Sequence, residues 1–107
     1  MLSFDALIED KIQGCIELLN EMSLDFNDDR FWLRHITAIA EDLKDILDDG
    51  VDQEVSCAFY SEVRAKVVRI TTLIDAMMIY MNHSTLQLVK WRLVDVVNIA
   101  ESYCDNS

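Results

Sequence analysis

Apolar residues recur along this chain at spacings of three and four, in four blocks separated by short polar stretches. In the first block Phe4, Ile8, Ile12, Cys15, Leu19 and Met22 fall on one side of a helix, with Asp10, Glu17 and Glu21 opposite. Trp32, Ile36, Ile39, Leu43 and Ile46 make the second stripe, with Glu41, Asp45 and Asp48 on its far side. The third runs through Phe59, Val63, Val67, Ile70, Ile74, Met77 and Met81, and the fourth through Leu86, Val89, Leu93, Val97, Ala100 and Cys104. These patterns predict helices over about 3–22, 28–49, 52–82 and 84–104, with no strand.

The boundaries follow from capping chemistry. Ser3 and the Asn27, Asp28, Asp29 run offer side-chain oxygens to the first turns of helices one and two. Gly50 reads as a C′ residue ending helix two, free to take positive φ, and Asp52 as the cap of helix three. Ser84 with Gln87 matches a capping box for helix four, and His83 reads as the end of helix three, beside the negative pole of its dipole. Connections this short predict an all-α, antiparallel four-helix bundle formed by residues 1–107 as a single domain. The lack of Pro and the presence of only two Gly in 107 residues agree with long helices and few turns.

Helix four carries a second apolar row. Leu88, Trp91 and Ile99 lie away from its inner stripe, and Ile79 points away from the stripe of helix three. A bundle needs one apolar face per helix, so these positions predict either a helix flanked on two sides or a contact with another molecule. A homodimer through helices three and four is the expected form of that contact.

Charge is distributed as unevenly as any feature of the chain. Residues 1–55 hold fifteen Asp and Glu against four Lys and Arg, the whole of the net −11, while residues 56–107 hold five of each. Exposed carboxylates add little to stability and repel one another, so a bias of this size points to a partner. Nucleic acid and anionic membranes both require clustered cations, which excludes them as direct partners and leaves a basic protein surface. Arg64, Lys66, Arg69, Lys90 and Arg92 are matched by as many acids in the same half, so they are expected to pair with the acidic helices or across an oligomer.

Nucleotide pyrophosphohydrolases of the MazG type hold Mg²⁺ between helices carrying ExxE and ExxD; Glu17 with Glu21 and Glu41 with Asp45 are spaced by four and lie opposite the apolar stripes. No ExxH pair suits a di-metal bundle, no Gly-rich loop suits phosphate, and His35 and His83 read as boundary residues. No cofactor and no enzymatic activity are therefore expected.

Cys15, Cys57 and Cys104 are an odd, widely spaced set without a CxxC pair, which suits three reduced side chains. With no basic and apolar leader at residues 1–10 and no apolar run of the ~20 residues that span a bilayer, the expected location is the cytosol. The functional expectation is a non-catalytic acidic interaction protein, an inhibitor of the immunity or antitoxin kind, using Glu17, Glu21, Glu41, Asp45 and Asp48. The alternative is a secretion or assembly chaperone that holds an apolar segment against Ile79, Leu88, Trp91 and Ile99.

Overall fold

A computed structural model describes residues 6–26, 28–52, 56–81 and 83–105. Four helices account for nearly all of them: α1 (Ala6–Ser23), α2 (Arg30–Asp52), α3 (Cys57–Tyr80) and α4 (Ser84–Asp105), with a 3-10 turn at Leu24–Phe26. Among the described residues there is no strand. Ser3 and Phe4 lie outside the described residues, as do Asn27 and Asn82.

The helices pack as an all-α bundle whose seams can be followed through cross-helix contacts. Arg64 meets Glu101 and Asp75 meets Lys90, so α3 and α4 run antiparallel. Lys11 meets Asp95 and the Cys15 thiol donates to the Val89 carbonyl at 3.8 Å, so α1 and α4 do too. Packing is extensive between α3 and α4, α1 and α2, and α1 and α4, whereas α2 and α3 approach closely at only a few positions. Helix α4 is thus flanked by α3 and α1 together, in a molecule 46 Å long.

The stripes read from the sequence form one core. Ile8, Ile12, Cys15, Leu19 and Met22 of α1, and Ile36, Ile39, Leu43 and Ile46 of α2, are buried in it. So are Val63, Val67, Ile70 and Ile74 of α3, and Leu86, Val89, Leu93 and Ala100 of α4. Each fully buried aliphatic side chain contributes about 1.5–3 kcal/mol relative to exposure. In α4 it is Val96 that is wholly buried, while Val97 is only partly covered, because the inner ridge of this helix is turned toward α1 as well as α3. Trp32 is partly buried at the edge of the cluster.

Helix ends depart from the sequence reading at several points. Gly50 does not terminate α2: the helix continues to Asp52, no described glycine has positive φ, and Gly50 is buried as the next small position on the stripe after Ile46. Asp52 therefore belongs to α2, and the cap of α3 is Ser56, whose side chain accepts from the Phe59 N–H at 3.2 Å. At its other end α3 stops at Tyr80, and the Met81 N–H closes on the Met77 carbonyl. His83 does not end α3 but stands before α4, taking the place assigned to Ser84, which is already helical. Its carbonyl accepts from the Leu86 N–H and its Nδ1 accepts from the Thr85 N–H at 3.2 Å. That leaves Nε2 to donate to Asp25 at 3.2 Å, joining the two turns at this end of the bundle. Asp29 does cap α2, accepting from the Trp32 N–H at 3.3 Å.

The cysteines also correct the reading. Cys57, at the start of α3, is disulfide-bonded to Cys104, near the end of α4, with Cα atoms 5.1 Å apart. Two positions 47 residues apart meet because the hairpin returns α4 to the beginning of α3. The thiol argument for a reducing compartment no longer holds, since such bridges persist in oxidising ones. Cys15 remains a buried thiol. No described helix is long and apolar enough to cross a membrane.

Candidate functional surface

The acidic side chains sort onto three surfaces that the sequence could not separate. Glu17 and Glu21 lie exposed on α1, on the side away from Cys15, Leu19 and Met22. Glu41 and Asp48 are exposed on α2. Asp45, also exposed, borders a groove of about 160 Å³ between α2 and α3, together with Asp42, Lys66, Arg69, Ile70 and Leu73. Further along the same seam Asp49 accepts from Lys66 at 3.2 Å. Asp42 and Asp49 were passed over in the sequence; with Asp45 they form the i, i+3, i+7 row that marks the α3-facing edge of α2.

None of the five carboxylates singled out from the sequence, Glu17, Glu21, Glu41, Asp45 and Asp48, takes part in an ion pair among the described residues. The cations of the second hairpin engage other acids. Arg64 holds Glu101 and Lys90 holds Asp75, each at 2.6 Å, inside that hairpin, while Lys66 pairs with Asp49 of the acidic half. Arg92 crosses to α1, where its guanidinium lies over Gly14; a Cβ at that position would stand 2.7 Å from Nη1.

Along α2 the charges run against the helix dipole. Arg30 and Arg34 occupy its first turns, beside a shallow depression that Leu33, Thr37 and Glu41 also line, while Asp45, Asp48 and Asp49 crowd its last turns. The carbonyl end of a helix carries partial negative charge that acts within its last turn, so a cost of about 0.3–1 kcal/mol bears on Asp49 and less on Asp48, while Asp45 lies two turns from the end at Asp52. Like charges at Glu41 with Asp45 and at Asp45 with Asp49 add about 0.2–0.5 kcal/mol per pair.

Other candidate chemistry is placed as follows. Among the described residues no three His, Cys, Asp or Glu side chains lie together as metal ligands. His35 donates its Nδ1–H to the Phe31 carbonyl at 3.0 Å and packs on the Phe31 ring, a local helix contact. Burial pushes the Cys15 thiol up to about 11, against the opposing pull of Arg92 and Lys11.

The second apolar row is divided. Ile99 is partly buried against the core on the α1 side and does not face outward as its spacing implied, because α1 packs on that flank of α4. Ile79 and Trp91 stay exposed, at 78 % and 61 %, and Leu88 at 40 %. Val68 and Val94 join them at the surface, two positions missed because their neighbours Val67, Leu93 and Val96 carry the stripe. Compared with known proteins, the chain matches no family model, no curated protein and no solved structure.

Proposed function

We propose that this protein is a non-catalytic inhibitor, of the immunity or antitoxin kind, whose acidic first hairpin engages a basic protein surface through Glu17, Glu21, Glu41, Asp45 and Asp48. One observation carries the reading: Glu41, Asp45 and Asp48 stand exposed from the middle of α2 toward its carbonyl end, outside every ion pair among the described residues, with Glu41 and Asp45 one turn apart. A helix selected for stability alone would carry the opposite charge order. Complementary fields speed encounter and restrict partner choice, which is what rapid neutralisation of a target requires. The chaperone alternative has one of its four anchors, Ile99, partly covered by the chain's own packing.

The test replaces the five acids together by Gln and Asn. The fold should persist with an unchanged or higher melting temperature, because the substitutions relieve repulsion and remove no ion pair. Wild-type and neutralised protein are then used side by side to capture a target, and association kinetics are followed across a salt series. The expected result is a slower association rate for the neutralised protein and a wild-type rate that falls steeply with salt, as the field shortens to ~10 Å at 0.1 M. Equal rates for both proteins at all salt concentrations would refute the proposal.

A further inference from the structure

The outer face of the α3–α4 hairpin has a charge pattern of its own. Arg64, Val68, Thr72, Asp75 and Ile79 follow one another at spacings of four, four, three and four, so they share one side of α3. Trp91, Val94, Asn98 and Glu101 do the same on α4. Two cross-helix ion pairs bracket the face, Arg64 with Glu101 and Asp75 with Lys90, and they lie eleven residues apart on each helix, about 16 Å. Between them Val68 and Val94 are 39 % and 40 % exposed, with Thr72 and Asn98 in the same rows and Trp91 next to Lys90 at one end. The Thr71 and Thr72 hydroxyls both return to the Val68 carbonyl, at 2.8 and 3.0 Å, so they ask nothing of a partner when water is removed.

Read around the face, the four corners alternate: positive at Arg64, negative at Glu101, positive at Lys90, negative at Asp75. Laid face to face on a copy of itself about a two-fold axis in its own plane, along the helices or across them, this checkerboard brings every cation over an anion. Isologous dimers require such self-complementarity. We propose that this face is a homodimer interface, with Val68 and Val94 at its centre, Trp91 at its Asp75–Lys90 end and the four charged residues exchanging partners at its rim. The charge distribution favours a second copy over other occupants. The face itself is neutral, whereas residues 1–55 hold the entire net −11, so two copies repel one another through their acidic halves and approach best here.

Sedimentation velocity of the full chain from micromolar to millimolar concentration tests this, with circular dichroism confirming the fold of each variant. Wild type should dimerise, and added salt should tighten the dimer by screening the acidic halves, opposite to its effect on a basic target. Trp91→Glu should give a helical monomer, and Asp75→Lys, which sets like charge over like charge, should weaken the dimer at least about ten-fold. Reversing all four corners together, Arg64→Asp, Asp75→Lys, Lys90→Asp and Glu101→Lys, keeps the checkerboard and should keep the dimer. A wild-type monomer throughout the range overturns the proposal and leaves the face to a different protein. So does a dimer indifferent to both Trp91→Glu and Asp75→Lys, or one abolished by the four-fold reversal while the variant stays folded.

Discussion

Reducing the Cys57–Cys104 bridge should remove about 4 kcal/mol of stability without dismantling the bundle. The magnitude comes from the unfolded chain. A link across 47 residues withholds loop entropy that, in the chain-closure relation, lies between the ~3 kcal/mol of a 15-residue loop and the ~4.7 of a 100-residue one. The short connection between α3 and α4 does not shorten that loop, since the hairpin exists only in the folded state. On the native side the helix ends remain joined after reduction by the Arg64–Glu101 pair and by the stacked Tyr60 and Tyr103 rings, centroids 4.5 Å apart. A domain of ordinary stability, ~5–15 kcal/mol, therefore stays folded but with little reserve. Urea unfolding followed by far-UV circular dichroism, with and without reductant, reads the effect directly. For a slope of about 1–3 kcal/mol per molar urea the midpoint should fall by roughly 1.3–4 M. Thiol titration in denaturant supplies the control, one reactive thiol before reduction and three after. If three thiols are counted after reduction and the midpoint has not moved, the entropic reasoning is wrong. If three are counted before reduction, the bridge itself is wrong.

Two further outcomes follow from α1. Gly14→Ala should raise stability by about 0.5–1 kcal/mol, the helix-propensity gain in a helix interior, because the group its Cβ would meet is the mobile end of Arg92; a lower melting temperature would show that the guanidinium cannot yield. Cys15 should make stability fall as pH rises from about 9 toward about 11, since over that interval the unfolded chain releases the thiol proton that the folded protein keeps, while below 9 the contribution is constant. Comparing urea midpoints of wild type and Cys15→Ala across that range isolates the effect, and parallel pH profiles for the two proteins would contradict it.

The helical stripes were legible because a 3.6-residue period concentrates apolar residues on one face whatever the partner helix is, and the buried residues of α1, α2 and α3 match their stripes closely. What periodicity cannot supply is the environment of a helix with two neighbours. Val96 and Ile99 are covered by α1, a helix some eighty residues away in the chain, and no local rule distinguishes them from Val97 and Trp91. The segment around Gly50 was misread because a glycine after an acidic stretch satisfies a C′ pattern and a buried helical site equally well, and only the core decides. The disulfide lay beyond reach for the same reason: pairing depends on where two helix ends arrive. For the acidic surface the sequence identified which carboxylates face outward. Their division between α1, the outer side of α2 and the α2–α3 groove needed the packed helices.

That α1 packs on α4 has a consequence for the nascent chain. Synthesis delivers α1 and α2 first, and α1 waits for its second neighbour until some fifty further residues have emerged, about 3–10 s at ~5–20 residues per second. During that interval the stripes of α1 and α2 have each other but not the rest of the core to lie against, at the ribosome surface and among other unfinished proteins. The half of the chain that must wait is the half that carries the carboxylates. Mutual repulsion between such intermediates keeps them apart while they are vulnerable, so neutralising these acids should show first as aggregation during translation, before any loss in the finished protein is seen.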